Sequence, residues 1–441
     1  MRRRKLLSVI LALSLCLTLP LGMAAAEETG TVKEVTSSQE LTEALEGTAE
    51  TVRLGTNIEI SASLAVSRTV TLDLNGCVLK MTNNGGSVIK VDSGGNLKLT
   101  DSDTTAAHKF TPDENALWAL DETNGTKTVK GGVITGGTGS HSGIDAYGGG
   151  VYVANGGEFT MTGGSIAGCT AQATATGRAY GGGVFVAEED GKFTMCGGSI
   201  TGCAAVGASF SFGGGIHNEG TTRLSGRAEI RDCHAKAGTD SYASGGGVSD
   251  TNGVLLDISG NVKITGCTID GKNEVRSDAM NIGYYGNISG GTFDGSVENN
   301  GKISGGTFNG KVTNSRTITE GTFNGAVTNE GSITGGTFNG GVTNGENGTI
   351  SGATVVAKVS TDTEFLEALA KPYVTTIKLT DHIMVGATED VKELTIDRAI
   401  TLVNGSRAPN LYLWLPLTIA EGGALTLEGI VYLYPCDSVV V

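Results

Sequence analysis

The side chains able to do chemistry in this 441-residue chain are few and regularly placed. Cys169, Cys203, Cys233 and Cys267 each stand three residues after an isoleucine: Ile166, Ile200, Ile230 and Ile264. Such a column has three readings: free thiols used as small apolar core residues, disulfides between neighbouring repeats, or a metal site. Neither His nor acid accompanies the cysteines at a repeated ligand spacing, and no CxxC pair occurs, so no metal is expected. His108 and His141 fall in loop-like segments, His382 in "LTDHIMV". His217 and His234 alone are close enough in the repeat to share a groove, and all five histidines read as surface residues. Asp232, Cys233 and His234 do not make a nucleophile–base set, because neighbours on a strand point to opposite faces.

Tyr147, Tyr180 and Phe212 each immediately precede a Gly-Gly-Gly triplet, and Tyr242 lies two residues further back in the fourth copy. Stacked in register they would form an aromatic strip. Flat aromatic side chains along a groove can stack on sugar rings, and they can equally shield a glycine-rich corner from water. Tyr147, Tyr180, Phe212 and Tyr242 are therefore the candidate ligand-binding residues, with no catalytic or cofactor-binding residue beside them.

The strip needs elements that repeat. Phe293, Phe308, Phe323 and Phe338 are spaced by 15, as are Ile288, Ile303, Ile318 and Ile333, and Val297, Val312, Val327 and Val342. One such unit cannot bury its own apolar face, but a stack can. Asn309, Asn324 and Asn339, and separately Asn299, Asn314, Asn329 and Asn344, follow the same lattice and read as corner ladders. Upstream, "GGGVYV", "GGGVFV", "GGGIHN" and "GGGVSD" begin at Gly148, Gly181, Gly213 and Gly245, one roughly every 30 to 34 residues. With 70 glycines but no Gly-X-Y period the chain is not collagen, and at 39% hydrophobic residues it is not a disordered linker. The pattern predicts an all-β, parallel β-solenoid.

The "GGGV…FTMTGGSIAGC" units resemble the right-handed parallel β-helix repeats of bacterial secreted and surface proteins, the pectin-lyase-like fold, which implies a right-handed parallel β-helix here. They are also similar to the GGA[ILV] repeats of polymorphic outer-membrane proteins, with Cys where those more often carry Asn. The resemblance spans about residues 70–356 and implies a fold rather than an activity, since this solenoid carries lyases, hydrolases, adhesins and stalks. The Gly-Asp-Asp, Gly-His-Gly and Arg-Ile-Lys motifs of polygalacturonases and the Trp-Ile-Asp-His motif of pectate lyases are missing.

Residues 1–26, with Arg2–Lys5, an apolar run and Ala24-Ala25-Ala26, read as a signal peptide, so the chain is expected to be exported, extracellular or at a bacterial cell surface, and not membrane-spanning after cleavage. Removing four basic and no acidic residues leaves 27 Lys and Arg against 46 Asp and Glu, a net charge of −19. That disfavours nucleic acid, anionic lipid and polyanionic polysaccharide. Residues 27–69 form an N-terminal cap, with Ser37 and Glu40 as a capping box before Leu41, Ala44 and Leu45. Residues 70–285 carry the long repeats and 286–356 the 15-residue repeats. Residues 357–441 open a second cap helix (Thr361, Glu364, Phe365, Ala368, Leu369) and an apparently incomplete second solenoid. The expected function is an adhesin-like scaffold presenting a surface to polysaccharide or cell-surface glycans, without catalysis. The alternatives are a carbohydrate-active enzyme with its site in the loops around 101–143, and the inert stalk of a longer surface protein.

Overall fold

Strands of three to five residues with alternating apolar positions cannot hold together alone; stacking them one coil above the next satisfies their backbones and buries one face. The computed structural model describes residues 31–251, 253–272, 277–386, 391–405, 409–429, 432–435 and 439–440. The signal-peptide segment lies outside them. The chain divides into two compact units, residues 1–302 and 303–441, with the division inside the 15-residue array.

In the first unit three stacks of parallel strands form the body of each coil. The first runs from Val32–Val35 through Thr69–Asp73, Glu158–Met161 and Lys192–Met195 to Asn287–Ile288. The second carries the isoleucine register, Ile134 to Ile166 to Ile200 to Ile230 to Ile264, ending on Phe293. The third begins at Leu64–Val66 and includes Val151–Val153, Val184–Val186 and Ile216–Asn218. Inward residues of all three are fully buried, among them Phe159, Phe193, Ile200 and Val184.

The long repeats add a lateral annex to this body. Between the second and third stacks the chain detours through a fourth (Thr170–Gln172, Ala204–Val206, His234–Lys236, Thr268–Asp270) and a fifth (Asp145–Tyr147, Arg178–Tyr180, Phe210–Phe212, Tyr242–Ser244). Alanines, Ala146, Ala171, Ala179 and Ala205, fill the narrow space between these two stacks. The glycine triplet returns the chain to the body. Gly181 holds φ at +66°, and a Cβ on Gly183 would lie 2.6 Å from the Ile200 side chain and 3.5 Å from the Cys203 sulfur. The triplet and the cysteine register are thus one device: Cys169, Cys203, Cys233 and Cys267 are buried directly beneath the third glycine of each corner.

The second unit begins with 15-residue coils that have no annex. Ile318, Ile333 and Ile350 stack in register, as do Val312, Val327 and Val342. The Phe308, Phe323 and Phe338 rings stack at 4.8 and 4.6 Å, nearly parallel. After strand Thr354–Val359 come a helix and further parallel coils through Thr376–Leu379, Ala399–Asn404 and Ala424–Glu428.

Two helices occur among the described residues, α1 (Ser38–Glu46) and α2 (Asp362–Ala370), and both are capped as expected. Ser37 Oγ accepts from Glu40 N, while Glu40 accepts from Thr36 N at 2.8 Å; Thr361, Glu364 and Ser360 repeat the arrangement. Leu41, Ala44 and Leu45 are buried against the first coil; in α2, Phe365 and Ala368 are buried and Leu369 is half-buried. One element escaped the sequence reading. Arg68 donates to the carbonyls of Ala44 and Leu45, and Arg398 to those of Leu369 and Lys371, so an arginine satisfies each helix C-terminus. Replacing Ser37 or Thr361 by Ala is expected to cost about 1 kcal/mol in denaturant unfolding of the corresponding unit. No helix among the described residues is long and apolar enough to cross a membrane.

Candidate functional site

The glycine corner brings the fifth stack against the outer face of the third, and aromatic residues meet across the bend. Tyr147, Tyr180 and Phe212 are in register, their rings stacked at 5.0 and 5.5 Å with interplanar angles of 8° and 17°. Tyr242 is set apart from this column. It pairs with Phe210, Ser244 takes the position above Phe212, and the Tyr242 ring meets Phe212 tilted by 49° at 6.0 Å. Opposite runs a second ladder that sequence reading missed: Tyr152, Phe185 and His217, at 5.3 and 5.9 Å. Tyr147 meets Phe185 edge-on at 4.9 Å, and Tyr180 lies 5.1 Å from His217. The signal for this ladder is the second residue after each triplet, Tyr, Phe and His in turn.

Stacking consumes most of the ring faces that a sugar could use. Tyr180 is 9% exposed, and Phe185 3%. The open end of the paired ladders is at Tyr147 and Tyr152, where a cleft of about 460 Å³ opens. Its walls are Tyr147, Tyr152 and Phe185, with Ser140, His141 and Ser142 from the hairpin that leads into the fifth stack. Its rim carries Lys90, Asn155, Glu188, Glu189 and Glu219. Lys90, the register neighbour of Tyr152, holds its ammonium 5.8 Å from that ring. Glu189 accepts from Asn155 Nδ2 at 3.2 Å and adopts φ of +65°, a left-handed conformation uncommon outside glycine. Burial, then the nearby Asp145 carboxylate, pushes the Tyr147 hydroxyl up to about 12. Burial likewise raises Tyr152 and Tyr180, so these phenols stay neutral hydrogen-bonding groups.

The histidines depart from the surface expectation in three of five cases. His217 is fully buried among Tyr180, Phe185 and Phe212, with Nε2 3.3 Å from Glu219 and no partner on Nδ1. His108 is buried, 2.7 Å from Glu122 and 2.9 Å from the Gly76 carbonyl. His234 is buried and bridges Thr268 and Asp270 at 2.7 and 3.4 Å, and burial holds its pKa below the usual value. The surface expectation failed for these three because neighbouring elements cover them: Tyr180 and Phe212 of the annex lie against His217, and His108 is enclosed within its own insertion at 101–131 against Gly76. His141 and His382 are exposed.

That insertion is a three-stranded antiparallel sheet, Ala107–Pro112, Trp118–Leu120 and Lys127–Lys130. Phe110, Trp118 and Val129 form its core with Val133 and Ala167. Its four aspartates bind backbone, while Glu122 pairs with His108. Asp101 accepts from the amides of Gly76 and Gly132, Asp103 from Thr105, Asp113 from Asn115 and Leu117, and Asp121 from Asn124. The four stacked cysteines are free thiols, each donating to carbonyl oxygens, as Cys203 does to Ile166 and Thr201 at 3.5 Å. Burial pushes Cys203 and Cys233 far above the ordinary thiol range, and contact with Cys233 followed by burial does the same to Cys267. A thiol so held is a core residue rather than a nucleophile. No family model, curated protein or solved structure matches the chain.

Proposed function

We propose that this chain is an exported β-helix scaffold of the pectin-lyase-like kind, adhesin-like in role, that holds a carbohydrate in the cleft at the open end of its paired aromatic ladders. The observation that carries the reading is the combination of Tyr147 and Tyr152 at the mouth of a roughly 460 Å³ cleft with amide, hydroxyl and carboxylate groups around them. Apolar ring faces for the flat side of a sugar, flanked by a few hydrogen-bonding groups, are what a carbohydrate site requires. The remaining residues of the strip (Tyr180, Phe212 and Tyr242) then act as the rigid backing of the two cleft tyrosines. Asp101, Asp103, Asp113 and Asp121 of the 101–131 insertion accept from backbone amides and Glu122 pairs with the buried His108, an arrangement that supports binding over bond cleavage.

The test is retention of the purified protein on a panel of soluble and insoluble polysaccharides, with polymer length followed at the same time. Retention without shortening supports the proposal. Tyr152→Ala is then expected to weaken binding about fivefold, from about 1 kcal/mol for one ring contact. Shortening of any polymer overturns the scaffold reading in favour of an enzyme. Neither effect overturns carbohydrate binding and leaves the stalk.

A further inference from the structure

The charges around the cleft narrow the kind of sugar it would accept. We propose, resting on the carbohydrate reading above, that the cleft selects cationic amino sugars, in which a free ammonium replaces the N-acetyl group, over neutral or uronic-acid polymers.

Three carboxylates, Glu188, Glu189 and Glu219, face one lysine across this cleft, and that lysine is already engaged with Asp92 at 3.4 Å. The local balance is anionic, within a chain whose net charge is −15. Glu219 has the most restricted position. Its side chain is 16% exposed, and its one described side-chain partner is His217 Nε2 at 3.3 Å. The tautomer carrying hydrogen on Nε2 donates to Glu219 and leaves Nδ1 as a bare lone pair among the rings of Tyr180, Phe185 and Phe212. A carboxylate has about four acceptor positions, so Glu219 keeps capacity for a ligand donor. Glu189 is held at the rim by Asn155 and by a left-handed backbone, which fixes where its charge points.

The tyrosines add to this selection. An aromatic face attracts a cation through its quadrupole, and Tyr152 already shows the contact with Lys90. A glucosamine unit could therefore lay its ring against Tyr147 or Tyr152 and direct its ammonium to Glu219 or Glu189. An N-acetyl group removes that charge, and a uronate brings a carboxylate against three others, which is repelled.

Calorimetric titration of the purified protein with three hexamers tests this: glucosamine, N-acetylglucosamine and galacturonate, at low and at physiological salt. The glucosamine hexamer is expected to bind about tenfold tighter than its acetylated form at low salt, from two charge contacts at the cleft rim. The margin should shrink at higher salt. It should also shrink in Glu219→Gln and in the double variant Glu188→Gln/Glu189→Gln, whose unfolding midpoints are measured alongside to show intact folding. Equal binding of the glucosamine and N-acetylglucosamine hexamers overturns the charge selection while leaving carbohydrate binding in place, and so does preference for galacturonate. A preference that persists unchanged in all the Gln variants also overturns it. If no hexamer binds while the polysaccharide panel retains the protein, the amino-sugar selection alone is overturned; if the panel shows no retention either, the carbohydrate reading fails and this inference falls with it.

Discussion

Phe323→Ala should lower the unfolding free energy of the second unit by about 4 kcal/mol. The ring is fully buried and lies between Phe308 at 4.8 Å and Phe338 at 4.6 Å, parallel to both within 7°. Truncation removes the transfer free energy of the side chain and leaves a gap that neither neighbour can fill, because each is fixed by its own strand register. Two ring–ring contacts disappear as well. Since coils interact only with their neighbours, the loss is local. Amide exchange should speed up most in strands Thr317–Phe323 and Thr337–Phe338 and much less in Ala399–Asn404. A loss below about 1.5 kcal/mol would mean that the coils close over the gap, and the rigid-register account would be wrong.

The second large effect separates two asparagine ladders that look alike in sequence. Asn329 is fully buried; it accepts from Asn314 Nδ2 at 2.7 Å and donates to Asn344 Oδ1 at 2.6 Å, with the carbonyls of Gly331 and Thr349 within 3.3 Å. Asn329→Leu would strip a partner from the buried Asn314 amide and from the half-buried Asn344 amide, at about 3 kcal/mol or more. Asn324 lies in an equivalent chain, donating to Asn309 at 2.8 Å and accepting from Asn339 at 2.9 Å, but this ladder is exposed. There water replaces the lost partners, so Asn324→Leu should cost less than about 1 kcal/mol. Urea unfolding of the two variants side by side gives the comparison. Equal losses would show that ladder geometry, not burial, sets the stability.

The body of the fold was readable because it is periodic. Ile at 166, 200, 230 and 264 and Phe at 308, 323 and 338 each mark one inward position per coil, and one register is all a parallel stack requires. The annex was not read, although its trace is present in the alanines at 146, 171, 179 and 205. Alanine is compatible with helix, strand and loop, and only the close approach of two stacks gives it a reason. The same omission hid half of the candidate site. Tyr147, Tyr180 and Phe212 were visible before the glycines, but Tyr152, Phe185 and His217 gain meaning only once the chain folds back at that corner and sets one ladder against the other. Placing His217 at the surface failed for this reason: an outward face of the body is an inward face of the annex. The acids at 101–121 read as a loop cluster because turn-forming Asp and catalytic Asp are the same residue type, and the difference lies in which amides they accept from.

The glycine corner also separates the body from what it carries. A coil with the annex and a coil without it share the same three-sided core, so a whole 30-odd-residue segment can be duplicated or lost without shifting any register above or below it. A duplicated coil of the Tyr180/Phe185 type would bring its own pair of rings to the ladders, whereas a coil of the fourth type, with Ser244 and Ser249 in register with Phe212 and His217, would interrupt them and leave a fresh pair of open ends. Under the proposed carbohydrate reading, valency would follow the number of open ladder ends, since stacked rings within a ladder have little free face. For a polymeric ligand of the proposed kind, each further interruption would add one weak contact toward avidity.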